Sequence, residues 1–459
     1  MSAACLASCV AGSAAAGPAT QEGADKLRHS IESRSDPRLF TRGLFRIVPI
    51  GDHYDFIVDT AVLPGERGRP FPKMTLHLSP ADDGTYRFTS DTLSYTAAKS
   101  ESAAPAIERL ENCGARGVFN PTRLFLSTLE LTCARVALTN DALDPKHYDI
   151  RGGSLTWQGK AAADDTADIV FELKDSSLVE DFIDESGPVP SISARLQTGE
   201  AHYKMSLFQA KAGQIAELYK TVHVTTMGAP HPTFDVLKKK ISDALPLWSA
   251  FKFESTVQDS RLSLSDLTAK VPSYAFTQTL SGVAPRSGGE ATLVMAGASL
   301  FPNGQSDRPI ALFPSDADVK LSMANVDLAG WVGTFLQQET EEEAAMWLDT
   351  SGLAFLLNGS GSLASNLSIR APLYDVQGSG SARLDTAMRA SATLSAGGFD
   401  AALRALNTAK VPPKIALVLA MMKGMAKPTP DGRLSWDISL DLPASRLSVN
   451  GQSLDLSGR

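Results

Sequence analysis

The side chains most able to do chemistry in this chain are its histidines, carboxylates and cysteines, and their spacing excludes several mechanisms at once. The seven histidines are His29, His53, His77, His147, His202, His223 and His231. No two stand at the i, i+4 spacing that presents two imidazoles from one helix face, so a HExxH zinc protease is excluded. His223 and His231 bracket Met227-Gly228-Ala229-Pro230, a loop site in outline, yet surface or strand-face histidines are the commoner explanation. Gly152-Gly153 and Gly159-Lys160 are set too far apart for a phosphate loop, and Ala161 follows where that loop needs Ser or Thr. Neither Gly359-Ser360-Gly361-Ser362 nor Gly378-Ser379-Gly380-Ser381 makes GxSxG, so both read as turns between strands. Carboxylates gather at Asp82-Asp83, Asp164-Asp165, Asp316 with Asp318, and Glu339 with Glu341 to Glu343, without calcium-loop grammar. They read as solvated turns and a solvated helix face, and Asp181, Asp184 and Glu185 read as the surface of another helix. No catalytic, cofactor-binding or metal-binding residue follows from these patterns, and no cofactor is expected.

The four cysteines fall into two pairs. Cys5 and Cys9 lie in an N-terminal stretch, residues 1–19, of small and apolar residues that gives way to polar sequence near Gln21, as at the end of an export signal. A basic segment before the apolar stretch is missing. Ser13-Ala14-Ala15-Ala16 offers an ordinary signal-peptidase site, and Leu6-Ala7-Ser8-Cys9 offers a short lipobox with Cys9 as the acylated residue. The ordinary site is the favoured reading. Cys113 and Cys133 remain in the mature chain, an even pair in a compartment expected to be oxidising. Bridging them is worth about 3 kcal/mol in the chain-entropy model, and the competing reading is two buried free thiols.

Composition sets the wider bounds. The 459 residues carry 43 Lys and Arg against 51 Asp and Glu, a net charge of −8, with no long basic tract. That argues against nucleic acid or an acidic lipid surface as the main partner. No run reaches the 18 or so apolar residues of a membrane-spanning helix; Ile415 to Met422 is far too short.

The elements available to position a site are mostly strands. Period-two alternation appears at Leu44-Arg46-Val48, Tyr54-Phe56-Val58, Met74-Leu76-Leu78, Tyr86-Phe88 and Leu93-Tyr95, with turn signals at Pro49 to Asp52, Pro64-Gly65 and Asp83-Gly84. It recurs at Ile150 to Gly159, Ile169 to Leu173, Ile192 to Leu196, Tyr203 to Phe208, Phe251 to Val257, Leu262 to Leu267 and Tyr274 to Leu280. Val319 to Met323, Leu353 to Leu357, Leu363 to Ile369 and Leu434 to Leu442 continue it. Gln21 to Ser35 reads as a helix or tether. Four helical stripes interrupt the strands: Phe234 to Trp248, Leu328 through Leu336 to Trp347, Phe399 to Leu406, and Lys414 to Met425. The expected fold is α+β and β-dominated, with long twisted antiparallel sheets in two similar halves and a few amphipathic helices packed on them. The division is 1–19 for the export remnant, 20–249 for a β-rich half ending in a helix, and 250–459 for a second β-rich half with helices near 328–348 and 398–425.

Helices rich in large apolar side chains beside long sheets can line a groove for an acyl chain. The residues expected to do so are Trp248, Trp331, Phe335, Trp347, Ile415, Met421 and Met422; the plainer alternative is that these helices simply cover the sheet.

The leader, the run of short strands with Leu-x-Leu cadence, and the endings Asp431 to Leu442 and Leu447 to Gln452 give the chain a likeness to a known group. It resembles the β-rich envelope proteins of Gram-negative bacteria of the YdgA-like and AsmA-like families. The resemblance implies a periplasmic, non-enzymatic role in envelope maintenance or lipid handling. Its expected partners are a lipid or another envelope protein, and an exported hydrolase with a dispersed active site is the alternative.

Overall fold

The structure is a computed structural model, and it describes residues 18–32, 38–59, 73–96, 107–121, 125–139, 147–162, 166–184, 191–223, 233–264, 266–302, 309–347, 361–384, 388–408 and 413–455. The leader with Cys5 and Cys9, Glu185, His231, and the strand expected at Leu353 to Leu357 lie outside those residues. Two helices, α1 (Gln21–Glu32) and α2 (Arg38–Thr41), precede the first strand. The Thr20 hydroxyl caps α1 by accepting from Gly23 N at 3.1 Å. Ala24, Leu27 and Ile31, one helical turn apart, are its buried stripe.

The strands form one antiparallel sheet, and 24 of them are described. The first run is β1 (Phe45–Ile50), β2 (His53–Val58), β3 (Met74–Pro80), β4 (Tyr86–Ser90), β5 (Leu93–Thr96), β6 (Ile107–Asn120), β7 (Phe125–Thr139) and β8 (His147–Ala161). Next come β9 (Ala167–Asp175) with β10 (Ser177–Asp184), and β11 (Ser191–Thr198) with β12 (Ala201–Ala210), each couple continuing along one path in the sheet. Helices α3 (Ala212–His223) and α4 (Phe234–Ala244) follow. The ladder then resumes with β13 (Ala250–Leu264), β14 (Leu267–Ser281), β15 (Ser287–Ala296), β16 (Ser299–Pro302) and β17 (Asp316–Val326). After α5 (Leu328–Leu336) and α6 (Glu341–Trp347) come β18 (Gly361–Arg370), β19 (Asp375–Leu384) and β20 (Arg389–Gly397). Helices α7 (Phe399–Thr408) and α8 (Pro413–Met425) precede β21 (Lys427–Pro428), β22 (Leu434–Asp441), β23 (Arg446–Val449) and β24 (Gln452–Asp455). Pairing continues through the sequence division near residue 249, because β12 and β13 are joined from Ala201↔Val257 to Phe208↔Ala250.

Several sequence expectations change. Asp181 and Asp184 belong to strand β10, where Asp181 is buried and Arg195 Nε donates to its Oδ1 at 2.6 Å. Gly378 to Ser381 lies inside β19 rather than in a turn, and Asp316 and Asp318 lie in β17. The stripe from Leu328 to Trp347 is two helices. Asp327 caps the first, accepting from Gly330 N at 2.8 Å. Thr340 and Glu343 form a reciprocal capping box that starts the second, with Glu343 N to Thr340 Oγ1 at 3.1 Å and Thr340 N to Glu343 Oε2 at 3.2 Å. Helix α4 stops at Ala244, so Trp248 is outside it, and α3 was not anticipated at all.

Cys113 of β6 and Cys133 of β7 stand as a disulfide-compatible pair across the ladder, with sulfur atoms 2.18 Å apart. No helix among the described residues is long and apolar enough to cross a membrane.

Candidate functional site

Residues paired across an antiparallel ladder share a face, and successive residues alternate, so the registers sort the whole sheet into two sides. One side is polar from end to end. Its central row runs Asp55, His77, Thr89, Arg116, Glu130, Thr156, Glu172, Lys204, Glu254, Thr277, Thr292, Lys320, Asn366, Ser379, Thr393, Asp437. Oppositely charged neighbours on it make contact, as Arg116 Nη2 does with Glu130 at 2.7 Å and Lys320 with Glu290 at 2.8 Å.

The other side is apolar over the same span. One residue along, the row reads Ala115, Leu131, Leu155, Leu173, Tyr203, Ser255, Phe276, Leu293, Val319, Leu367, Gly378, Leu394, Trp436. Leu78, Phe88, Gly117, Leu129, Trp157, Phe171, Met205 and Phe253 make the parallel row beside it. Gly117 is required there because a Cβ would meet Thr128 O and the Phe88 ring at under 3 Å. Nearer the far end of the long strands the apolar side chains step by three instead of two, from Cys133 to Val136 and from Gly153 to Ile150. The extra residue falls on a line of irregular backbone: Asn112 (φ 49°), Gly152 (φ 58°), Asp259 (φ 51°) and Gly297 (φ 70°). Each takes the left-handed conformation that Gly, Asn and Asp tolerate best. The slip keeps the next row, Leu138, Tyr148, Glu180, Leu196, Leu262, on the apolar side. Accordingly the Tyr203 and Tyr274 hydroxyls, raised chiefly by burial, are raised further by the nearby Glu180 carboxylate.

Helices cover this face in places. Under α1, Leu78, Phe88 and Tyr54 form a core with Leu27 and Ile31. Beside it a cavity of 640 Å³ opens, walled by Ile31, Phe56, Met74, Leu76, Phe119 and Leu129 among others, all of them apolar. At the other end α7 and α8 lie over Trp436, Leu394 and Ala396, leaving a second cavity of 310 Å³ that also reaches Met422. Between these ends, over β15, β17 and β18, large apolar side chains of the same face remain exposed: Leu293 at 40%, Leu321 at 53% and Leu363 at 38%. A depression of 390 Å³ runs there, along Leu321, Leu363, Ala382 and Ala392.

The groove expected from the helices is not a single place. Trp331, Phe335 and Trp347 do come together, with ring centroids 5.4 and 6.4 Å apart across Trp347, and Phe234 of α4 joins them at 6.5 Å from Phe335. Trp248 lies elsewhere, packed with Ala167, Ile169 and Ala210. Met422 lines the cavity under α7, where its carbonyl accepts from Trp436 Nε1 at 2.8 Å, while Met421 is 58% exposed. Ile415 lies in α8, with its side chain outside the described set. The strand residues that wall the 640 Å³ cavity, Phe56, Met74, Leu76 and Leu129, are legible in the sequence only as strand positions.

Two carboxyl groups, Asp175 and Glu180, interrupt the apolar face. Asp175 is buried, at 7% exposure, and its Oδ1 has no hydrogen-bond partner. Burial pushes its carboxyl up to about 6 and also raises Glu180. Burial, with the nearby Tyr274, Asp175 and Glu180, pushes the Tyr203 hydroxyl up to about 12. Among the described residues, one set of three His and carboxylate groups is close enough to share a metal, His53, Asp55 and His77, and it lies on the polar face. The chain matches no protein-family model, no curated protein and no solved structure.

Proposed function

We propose that this is a periplasmic envelope protein without catalytic activity that binds an apolar or lipid-like component along the apolar face of its sheet. One observation carries the reading: a face apolar across the strands from β2 to β22, walled into a 640 Å³ cavity at one end and exposed at Leu293, Leu321 and Leu363 in the middle. An exposed apolar surface suits a chain-like ligand, because each methylene removed from water contributes about 0.8 kcal/mol. Scaffolding of outer-membrane assembly would use the same face for a protein partner.

The test starts with protein recovered from a periplasmic preparation, extracted with organic solvent and compared by mass spectrometry with a mock purification. Stoichiometric lipid is expected from the native chain. It should be depleted in a variant carrying Leu293→Glu and Leu321→Glu, whose exposed positions leave folding intact. Equal lipid in both, or none in either, overturns the reading.

The alternative of a hydrolase draws on Asp175 and Glu180, two carboxyls raised by burial on the apolar face beside Tyr203. Turnover of an ester substrate abolished by Asp175→Asn, with lipid capture unchanged, would favour it.

A further inference from the structure

The polar face carries a second arrangement, independent of the apolar one. His53 opens β2 and Asp55 follows two residues later, so both project from the same side of the strand. His77 of β3 is the cross-strand partner of Asp55. Register therefore gathers three ligand-type side chains that lie up to 24 positions apart in sequence. His53 Nε2 stands 3.2 Å from Asp55 Oδ1, and His77 Nδ1 stands 2.8 Å from the same oxygen. All three donor atoms lie within 4.8 Å of one another, and the two imidazole rings meet edge to face at 5.3 Å.

Those separations suit a shared ion. Ligands at about 2.0–2.1 Å from a tetrahedral zinc stand roughly 3.3 Å from one another, close to the 3.2 and 2.8 Å that separate Asp55 Oδ1 from the two ring nitrogens. The outer contacts are the stronger argument. The ring nitrogens that face away from the centre each meet a further carboxylate: His53 Nδ1 with Asp52 Oδ1 at 3.1 Å, and His77 Nε2 with Asp91 Oδ1 at 2.9 Å. Metal-bound histidines characteristically donate their second N–H to a carboxylate, which fixes the tautomer and aims the ligand nitrogen. Here both histidines have that partner, and both inner nitrogens converge on Asp55. The other histidines with an acidic neighbour, His147 with Glu108 and His202 with Glu172, show one carboxylate each and no second imidazole.

We propose that His53 Nε2, Asp55 Oδ1 and His77 Nδ1 form a binding site for a divalent first-row transition ion of the zinc type. Two imidazoles and one carboxylate suit such an ion far better than calcium or magnesium, which take all-oxygen sets. On binding, the two inner nitrogens and the Asp55 oxygen would meet the ion, while the outer ring nitrogens would keep their carboxylate partners Asp52 and Asp91. The three side chains are only half-buried, so the remaining coordination positions face water. The ion would cross-link β2 to β3 on the reverse side of Phe56 and Leu76, which wall the large cavity.

The test uses the full chain and metal alone. Titration with Co²⁺ followed by visible absorption, and with Zn²⁺ by calorimetry, should show one site per chain, competed by Zn²⁺ and indifferent to Mg²⁺ or Ca²⁺. His77→Ala and Asp55→Asn should abolish it. Asp91→Asn, which removes only the outer contact, should weaken it about 10–100-fold, and His202→Ala should leave it unchanged. Circular dichroism checks that each variant is folded. Absence of a one-to-one cobalt spectrum in the native chain, or its survival in the folded His77→Ala variant, would overturn the proposal.

Discussion

Two stretches of the same apolar face are finished in different ways. At the β2–β7 end the rows from Leu78 to Leu129 carry large side chains, α1 lies across them, and Leu78, Phe88 and Tyr54 are buried. Over β15, β17 and β18 the rows continue in register, yet Leu293, Leu321 and Leu363 stand exposed and their neighbours shrink to Ser365, Gly380, Ala382 and Ala392. The strand grammar is the same in both. What differs among the described residues is the cover: one end is a core that keeps a void, and the middle is exposed. A sheet needs burial on one side to hold its register, and the covered ends supply it.

The largest expected effect tests the covered end. Phe88→Ala removes a buried ring that stands on Gly117 and should cost about 3–5 kcal/mol in urea unfolding. A loss under 1 kcal/mol would mean that this ring, which also walls the 640 Å³ cavity, is not held in a packed core.

The cross-strand pair comes next, and it too belongs to the covered end. Replacing Cys113 and Cys133 together by Ala should lower stability by about 3 kcal/mol relative to the oxidised chain, through lost constraint on the unfolded state. Equal unfolding midpoints for the oxidised native chain and the double variant would show that the pair contributes nothing.

Asp175 separates the two environments by pH. Its folded carboxyl sits near 6, above the unfolded value of about 3.9, so the folded state holds the proton more tightly. That contribution is complete below pH 4 and is lost as pH rises through 6. Asp175→Asn should therefore stabilise the chain by about 1–3 kcal/mol at pH 7.5 and leave it unchanged near pH 4. Denaturant melts at the two pH values distinguish this from a uniform change, which would point to lost packing instead.

These contrasts also mark what the sequence made legible. Alternation at Tyr54-Phe56-Val58 and Met74-Leu76-Leu78 announces strands, because a two-residue period has a single structural meaning when one side is apolar. It does not announce register, which decides that His77 faces Asp55 and that Leu321 faces Ser365. The segment from Gly378 to Ser381 read as a turn because its apolar-side positions are Gly378, Gly380 and Ala382; small residues there leave room for Leu394, against which a Cβ at Gly378 would collide. Helix α3 was hidden by the opening Ala212-Gly213-Gln214 and by a short stripe of which Ile215 packs on the sheet. The aromatic cluster at Trp331, Phe335 and Trp347 was legible because helical spacing alone brings Trp331 and Phe335 to one side. The wall of the 640 Å³ cavity was not, since its residues come from five strands and a helix.

The smallest expected effect sharpens the comparison most. Leu321→Ala removes the side chain of a residue that is 53% exposed among the described residues. If the middle of the face is an open surface, the loss should stay within about 0.5 kcal/mol, roughly a tenth of that expected at Phe88. A loss of 2 kcal/mol or more would show that Leu321 is covered in solution, by another part of the chain or a second copy, and concentration-dependent melting would tell these apart. A near-neutral result paired with reduced capture of a fluorescent fatty-acid analogue would place the contribution of Leu321 in binding rather than folding, and would assign the two ends and the middle of one sheet face to different tasks.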